Sequence, residues 1–409
     1  MPCSRLTYGL GSDYSALVIG FIIAADPRVV LSCDKPQIRR ERPVTQSIPP
    51  QEDGIVRRIG ANPEIHDGRE FWNCNIVSFR GHQYVVSHRA ILTVVVVSSC
   101  NAGCKFCSNE ITFTPSGRFL AWGDGLKRVK DFSLTAGITK VAYTGGEPTL
   151  NPQALHDLVT AMSPGFKKSR MHTNGFGLFR HVETGAGRRE LLPALIDTGL
   201  TGVSVSVAHF DQERNREIMR LSKSWSGMDA DGLRAIAEST GPTFTPRLSC
   251  VLTAEGVNDI ESIFEYMNWG RRLGFRRFIF RTCSDIQDGY KKDTSYTAYN
   301  DDNLRSIEVL AERLALRDDV RLVYRQRKTD SKVDVYGWRD VTFDLDESAE
   351  EEDPDQKIRR VNLMTNGVAH TSWIDPLSVL FDDDLATARR SAAKELPTFP
   401  IEQLTGAIR

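Results

Sequence analysis

The stretch ILTVVVVSSCNAGCKFCSNE, residues 91–110, joins an apolar run to three closely spaced cysteines. Residues 91–97 are apolar except for Thr93, as expected of a strand that is covered on both faces in a parallel sheet. Cys100, Cys104 and Cys107 follow at once, where the carboxyl end of that strand is expected. Loops at this end of parallel strands carry the chemistry of α/β folds. This stretch therefore bears on both the fold and the site.

Similar apolar runs recur at intervals as far as residue 282. They are ITKVAYT (138–144), KSRMHTN (168–174), GVSVSVA (202–208), PRLSCVL (246–252) and FRRFIFR (275–281). Segments with helical spacing lie between them, at residues 152–162, 191–198, 228–240 and 258–273. Six strand–helix repeats predict an α/β fold with a parallel sheet, either doubly wound or curled into a barrel.

The segments on either side of this repeat have a different pattern. We therefore divide the chain into an N-terminal extension (1–90), a core (91–282) and a mixed β/α C-terminal extension (283–409). The first extension ends in FWNCNIVSFRGHQYVVSH, a predicted hairpin that turns at Arg80-Gly81. The second contains strand-like stretches and a predicted hairpin turn at Asn366-Gly367. We expect the two extensions to cover the substrate pocket.

One stretch of the C-terminal extension is strongly acidic. DLDESAEEEDPD, residues 344–355, is predicted to be a solvated loop because its charges repel one another and it offers little apolar surface to bury.

The composition argues against several classes of protein. The chain has 52 basic and 53 acidic residues, so nothing in its overall charge indicates a nucleic-acid partner. Eight cysteines in 409 residues are too sparse for a secreted disulfide framework. The apolar run at residues 16–25 is far shorter than the ~20 residues of a membrane span. We expect a soluble protein of the reducing cytoplasm.

Three clustered cysteines restrict the chemistry of the loop. A redox pair formed by Cys104 and Cys107 leaves Cys100 unused, and structural zinc needs a fourth ligand that no nearby His or Cys supplies. An iron–sulfur cluster bound by three thiolates uses all three cysteines and leaves one iron open to a small chelating ligand. We favour the cluster and keep zinc and redox chemistry as alternatives.

Two motifs now point to a family. CNAGCKFC, with Phe106 just before the last cysteine, resembles the CxxxCxΦC signature of the radical S-adenosylmethionine (radical SAM) superfamily. That family's second hallmark, a GGE motif at the end of the next strand, is present in YTGGEP (143–148). The resemblance covers about residues 91–282 and implies a partial (β/α)6 TIM-like barrel. It also implies that Cys100, Cys104 and Cys107 bind a single [4Fe–4S] cluster, whose fourth iron is chelated by S-adenosylmethionine (SAM).

The resemblance further implies a set of contacts to SAM. Gly145 and Gly146 would allow close backbone approach to its methionine part, and the Glu147 carboxylate would accept from its amino group. Further candidates are Phe106 at the adenine, Thr173 after the third strand, Ser206 at the ribose or carboxylate, and Asn258 near the nucleoside. The bland alternatives are a simple Asn-Gly turn after Thr173 and plain strand alternation at Ser206.

The implied activity is reductive cleavage of SAM to a 5′-deoxyadenosyl radical, which abstracts hydrogen from a substrate. An electron donor such as flavodoxin or ferredoxin is the implied partner. No cysteine follows Cys283, so we do not expect the auxiliary clusters of SPASM, twitch or molybdenum-cofactor cyclase extensions. The ending LTGAIR also lacks the glycine-rich tail of that cyclase, and residues 1–90 lack the βα alternation of a cobalamin-binding unit.

The substrate is the least determined part. Neutral charge and compact extensions favour an enclosed pocket for a small molecule, such as an amino acid, sugar or nucleoside. A peptide or RNA substrate and a noncatalytic SAM-binding protein are the alternatives. Cys283 is a candidate hydrogen donor to a product radical and also fits a small buried core residue. Arg247, Arg281 and His209 are candidates to hold a carboxylate or phosphate.

Overall fold

The computed structural model describes residues 74–387, with gaps at 109–122, 223–224, 226, 284, 287–294, 304–305, 328–330, 351–356 and 374, and three short strands between residues 56 and 71. All the described elements belong to one compact unit, residues 50–409. No helix in these described ranges is long and apolar enough to cross a membrane.

The strands are numbered in chain order. They are β1 (Val56–Arg58), β2 (Glu64–His66), β3 (Arg69–Phe71), β4 (Cys74–Phe79), β5 (His82–Val95), β6 (Lys140–Thr144), β7 (Lys168–Thr173), β8 (His181–Thr184), β9 (Gly187–Glu190), β10 (Gly202–Ser206), β11 (Arg247–Val251), β12 (Arg277–Arg281), β13 (Asp285–Ile286), β14 (Val320–Arg327), β15 (Ser331–Trp338), β16 (Val341–Glu350), β17 (Ile358–Leu363) and β18 (Ala369–His370).

The helices alternate with the strands of the core and continue into the C-terminal segment. They are α1 (Gly123–Thr135), α2 (Pro152–Met162), α3 (Leu191–Asp197), α4 (Gln212–Met219), α5 (Ala230–Glu238), α6 (Ile260–Arg272), α7 (Ser295–Asn303) and α8 (Ile307–Ala315), with short 3-10 turns at Pro148–Leu150 and Asp382–Asp384.

Local sequence signals set the ends of several helices. Asn151 caps α2, accepting a hydrogen bond from the amide of Ala154, and Pro152 occupies the first turn, where a missing amide hydrogen costs nothing. At α6 the Asp259 side chain accepts from the Ser262 amide, and the Ser262 hydroxyl accepts from the Asp259 amide. The two residues therefore form a capping box. These caps fix where each helix starts after its strand.

The sheet confirms the predicted α/β architecture. Strands β5, β6, β7, β10, β11 and β12 pair in that order, each parallel to the next. This is a partial TIM-like (β/α)6 barrel. The six predicted strand segments all appear, and the predicted helix at residues 152–162 coincides with α2.

The C-terminal segment extends this sheet at both edges. β16 pairs parallel with β12, whereas β17 pairs parallel with β5 at the other edge. Among the described residues no ladder joins β16 to β17, so the barrel is open rather than closed. β14 and β15 add antiparallel strands beyond β16.

The two predicted hairpins are confirmed. β4 and β5 pair antiparallel around Arg80 and Gly81, which both have positive φ (51° and 83°), as a two-residue hairpin turn requires. β17 and β18 pair around Gly367, whose φ is 82°. β5 runs from His82 to Val95, so the first hairpin and the first barrel strand are one element that crosses the residue 90/91 boundary.

The prediction of an acidic loop at residues 344–355 is wrong for its first part, since Asp344 to Glu350 belong to β16. Phe343 and Leu345 are fully buried and alternate with the aspartates, which gives the segment one apolar face. Two of the acidic side chains form ion pairs, Asp346 with Arg281 and Glu347 with Lys332. Residues 351–355 lie outside the described part.

The barrel sheet has two faces of different character. On one face, alternate residues such as Leu92, Tyr143, Val203, Leu248 and Phe280 form one buried core with the helices. The opposite face, called here the polar face, is formed by the residues that alternate with these core residues along the same strands and their neighbours. It includes Thr93, Arg170, His172, Ser204, Ser206, Arg247, Ser249, Arg281, Asp344, Asp346 and Asn362.

Candidate functional site

The cysteine loop, residues 98–108, begins directly after β5 at the carboxyl end of the parallel sheet. Cys100 is exposed, and Cys104 and Cys107 are half-buried free thiols. The amide of Cys107 donates to the carbonyl of Cys104 (3.1 Å), and the amide of Ala102 donates to the Sγ of Cys100 (3.4 Å). These bonds form one short turn at Cys100 and another between Cys104 and Cys107.

The GGE motif clamps the start of this loop through its backbone. The Gly146 amide donates to the Val97 carbonyl (2.7 Å), and the Glu147 amide donates to the Ser99 carbonyl (2.9 Å). A Cβ at Gly145 would lie 2.2 Å from the Val97 carbonyl oxygen, and one at Gly146 would lie 2.0 Å from that of Ser99. Both glycines are thus needed for chain packing, independently of any ligand. Their contact with SAM stays a prediction.

The Glu147 side chain is buried, and both of its carboxylate oxygens accept hydrogen bonds from protein groups. Its Oε1 accepts from the amide and hydroxyl of Thr149 (2.9 and 2.6 Å) and from the hydroxyl of Thr173 (2.5 Å), while Oε2 accepts from the Asn174 amide (2.6 Å). Burial raises the pKa of this carboxyl above its usual range, and these hydrogen bonds oppose the rise. The carboxylate ties β6 to β7, whereas the predicted bond to the SAM amino group stays untested.

Thr173 and Asn174 extend this network to the cysteine loop. The Thr173 hydroxyl also accepts from the Gly175 amide (2.9 Å). The HTNG segment is therefore a turn whose threonine side chain also binds the buried Glu147. The Asn174 Nδ2 donates to the Oδ1 of Asn101, inside the cysteine loop (2.9 Å). The GGE motif, the end of β7 and the cysteine loop are therefore one hydrogen-bonded unit.

The other side of the cysteine loop rests on the end of α4. The Gly103 amide donates to the Met219 carbonyl (3.2 Å), and the Ser222 amide donates to the Asn101 carbonyl (3.3 Å). Arg220 ends the helix in the left-handed region (φ 45°), which turns the chain toward the loop. Phe106 and Cys104 pack against the apolar cluster of Ala208, Ile218 and Met219. The loop is thus held on both sides by backbone bonds.

The three thiols suit an iron–sulfur cluster. Burial raises the pKa of the Cys104 thiol, and negative charge on Cys107 and then Cys100 raises it further. Within the described ranges no three His, Cys, Asp or Glu side chains converge on a single metal ion. The sulfurs that bind a [4Fe–4S] cluster are farther apart than the ligands of a single metal ion, because each thiolate binds a different iron. The three thiols of the cysteine loop therefore fit such a cluster.

The remaining predicted SAM contacts lie around this unit. Ser206 ends β10 on the polar face, opposite Ser249 of β11. The Asn258 Nδ2 donates to the Ala254 carbonyl (3.0 Å), so this side chain braces its own loop. Cys283 follows β12 and is buried, 3% exposed. Their proposed contacts with SAM or substrate stay predictions.

The predicted anion holders differ from one another. Arg247 is buried on the polar face and donates from Nε to the Ser204 hydroxyl. Arg281 forms an ion pair with Asp346 of the neighbouring strand (3.2 Å). His209 lies in the loop after β10, stacked on Phe210 at 4.3 Å, and its Nδ1 accepts from the Asp211 amide. Of the three, only Arg247 combines burial with a place on the polar face.

Sequence reasoning missed several residues of the site, namely Asn101, Lys105, Thr149, Asn174 and Glu255. Lys105 lies between two of the cysteines, and its Nζ is 2.7 Å from the Oε2 of Glu255 in the loop after β11. Nothing near residue 105 in the sequence signals a partner 150 positions away. The Thr-Asn-Gly turn carried a signal, since Thr173 was predicted as a SAM contact, but the bonds of Thr173 to Glu147 and of Asn174 to Asn101 were not predicted.

The comparison with known protein families agrees with this site. Residues 94–267 match the Radical SAM superfamily. GTP 3′,8-cyclase of Thermodesulfovibrio yellowstonii is 28% identical over 206 residues, 49% of this chain and 59% of that protein. Molybdenum cofactor biosynthesis protein moc-5 of Caenorhabditis elegans is 30% identical over 145 residues, 34% of this chain and 22% of that protein.

The chain thus spans between about a fifth and three fifths of the length of these two curated relatives. Among solved structures, Streptococcus suis SuiB bound to S-adenosylmethionine aligns with a TM-score of 0.42 at 15% identity, over 70% of this chain and 61% of that chain. The family's cofactors are a [4Fe–4S] cluster and SAM, in agreement with the donor set of the cysteine loop. The chain contains a radical SAM domain at residues 94–267, which is the part that these comparisons assign to a family.

Proposed function

We propose that this chain binds a [4Fe–4S] cluster through Cys100, Cys104 and Cys107 and acts on a small-molecule biosynthetic substrate of the amino-acid, sugar or nucleoside type. When bound, the reduced cluster and SAM supply a 5′-deoxyadenosyl radical that abstracts hydrogen from a C–H bond. The observation that carries the proposal is the double support of the cysteine loop, by the GGE backbone on one side and the end of α4 on the other.

The protein's part in this chemistry is to position and to shield. The bonds of Gly146 and Glu147 to Val97 and Ser99 hold the chain that leads into Cys100. The buried Glu147 carboxylate fixes the ends of β6 and β7 relative to that chain. A preorganised site of this kind avoids reorganisation during reaction. Of the candidates for cofactor contact, Ser206 ends β10 next to the end of β7, and Phe106 packs against Ala208 and the end of α4.

A polar small molecule is supported by the polar face. Arg247 is 8% exposed there, beside Ser204, and a Cβ at Gly202 would lie 3.3 Å from the Nη1 of Arg170. A buried guanidinium group such as that of Arg247 favours a ligand with carboxylate or phosphate oxygens. GTP, the compound named by the cyclase relatives, is therefore the first substrate to assay. A peptide- or RNA-modifying enzyme and a noncatalytic SAM-binding protein are the competing proposals.

The decisive experiment is anaerobic. The protein is reconstituted with iron and sulfide, reduced with dithionite or a flavodoxin or ferredoxin system, and assayed for 5′-deoxyadenosine formed from SAM. We expect about four irons per chain, as one [4Fe–4S] cluster requires, and 5′-deoxyadenosine that is lost in Cys104→Ala. Cys74→Ala, which removes a buried thiol of β4, is the control and should keep both.

Other outcomes separate the alternatives. Bound SAM without cleavage would favour the noncatalytic protein, and zinc in place of iron would overturn the cluster. Deuterium transfer from a labelled small molecule into 5′-deoxyadenosine would identify the substrate, whereas transfer only from a peptide or RNA would overturn the small-molecule proposal.

A further inference from the structure

Lys105, Glu255 and Tyr299 form a bridge that connects the cysteine loop to the C-terminal segment. The Lys105 ammonium lies 2.7 Å from the Oε2 of Glu255. The other carboxylate oxygen, Oε1, accepts from the Tyr299 hydroxyl at 2.9 Å. The three residues come from the cysteine loop, the loop after β11 and helix α7. One carboxylate therefore joins three separate parts of the chain.

Lys105 and Tyr299 both stabilise the ionised form of Glu255. Partial burial raises the pKa of Glu255, but the hydrogen bonds from Lys105 and Tyr299 and the charge on Lys105 outweigh this and lower it overall. Burial, and next the bond to Glu255, raise the pKa of Tyr299, so its hydroxyl remains a donor. The Lys105 ammonium also lies 6.0 Å from the centre of the Tyr299 ring, within the range of a cation–π contact.

The neighbouring backbone makes this bridge stiff. The Ala254 amide donates to the Oδ1 of Asn303 at the end of α7 (2.7 Å), and Asn303 in turn donates to the Tyr299 carbonyl (2.8 Å). Arg214 of α4 donates to the Glu255 carbonyl (3.0 Å). The Glu255 loop is thus fixed by α7 on one side and by α4 on the other.

We propose that Glu255 is a positioning residue that sets the charge beside the cluster and couples helix α7 to the cysteine loop. This inference rests on the proposed function, since it assigns a role toward the cluster bound by Cys104 and Cys107. The Glu255 carboxylate balances the Lys105 ammonium, which lies between these two ligands in sequence. Movement of α7 reaches the cysteine loop through Tyr299 and Glu255.

The charges give a prediction with a sign. Reduction adds an electron to the cluster, so a nearby positive charge favours the reduced form and a nearby negative charge disfavours it. Glu255→Gln leaves Lys105 unbalanced and should shift the cluster's midpoint potential in the positive direction. Lys105→Met leaves Glu255 unbalanced and should shift it in the negative direction. Both side chains are about one third exposed, so solvent screens part of each shift.

The test is a redox titration of the reconstituted holoenzyme, followed by electron paramagnetic resonance. The double variant Lys105→Met/Glu255→Gln should lie between the two single variants. Glu238→Gln, an equally conservative change at the exposed end of α5, is the matched control and should leave the potential unchanged. Unchanged potentials in both single variants, or shifts of the same sign, would overturn the charge role, because a purely structural bridge has no reason to produce opposite signs.

A second readout tests the coupling to α7. Tyr299→Phe keeps the ring and both charges but removes the hydroxyl that holds Glu255. We expect faster release of iron to a chelator than in the wild type, with the potential nearly unchanged. An unaltered release rate would remove α7 from the proposal. If the wild-type protein takes up no cluster at all, the proposed function itself fails, and that result is distinct from a wild-type cluster with unresponsive variants.

Discussion

Gly146 approaches the cysteine loop so closely that a methyl group on its Cα would lie 2.0 Å from the Ser99 carbonyl oxygen. The same oxygen accepts the hydrogen bond from the Glu147 amide (2.9 Å). Any side chain at position 146 must therefore push away the backbone that leads into Cys100. Real Cβ atoms essentially never come within 3.0 Å of another heavy atom. The atom met here belongs to the backbone, so the backbone itself has to move.

We expect Gly146→Ala to bind less iron than the wild type after anaerobic reconstitution, because the displaced loop presents its thiols in the wrong places. Gly185→Ala is the matched control, since a Cβ there meets no atom within 4 Å. Iron and sulfide are counted per chain. A Gly146→Ala protein with wild-type iron content would show that the loop tolerates the displacement.

At the scale of elements, the sequence predicts the barrel strands well. Apolar runs mark β5, β6, β7, β10, β11 and β12 because each strand is buried against helices, and the predicted segments overlap all six strands. The motif spacing also places the cysteines and the GGE motif at neighbouring strand ends. The bridge of Lys105, Glu255 and Tyr299 was not predicted, because its two bonds join residues 150 and 44 positions apart.

Strand β18 carries a titratable group whose surroundings the sequence does not indicate. His370 is fully buried, and desolvation lowers its pKa from 6.5 to about 4. Between these two pH values the unfolded chain binds a proton that the folded chain does not bind. The free energy of unfolding should therefore fall as the pH drops from 6.5 towards 4.

His370→Gln should reduce this loss, which amounts to roughly a few kcal/mol from the shift in pKa. The measurement is urea unfolding at a series of pH values in that interval. His82→Gln, a change at the exposed end of the β4–β5 hairpin, serves as the control. An identical pH dependence in His370→Gln and in the wild type would exclude this histidine as the source.

At the scale of the whole molecule, the C-terminal segment is part of the barrel sheet rather than an appendage. β16 joins one edge and β17 the other. The sequence could not show this, because strand pairing across the chain depends on contacts far apart in sequence, and the acidic residues of β16 suggested a solvated loop. Their pairing with Arg281 and Lys332 explains why the strand forms. The role of the segment as a cover of the substrate pocket stays a prediction.

This arrangement predicts a single cooperative unfolding unit. Leu345 of β16 and Leu363 of β17 are fully buried in the core that the barrel strands share. Replacing either by alanine should lower the free energy of unfolding of the unit at residues 50–409 by about 2–5 kcal/mol. Leu316→Ala, at a side chain that is 86% exposed, should have little effect. A separate transition for the C-terminal segment, with the barrel midpoint unchanged, would contradict this prediction.

Strand β5 has a practical consequence for anyone who handles the protein. Its 14 residues connect the Arg80-Gly81 turn to the start of the cysteine loop. At the usual rise per residue a strand of this length spans at most roughly 45 Å. Arg80 of this turn is exposed. A fluorophore, biotin tag or electrode linker attached at Arg80 would therefore lie too far from the cysteine loop to exchange electrons with it directly.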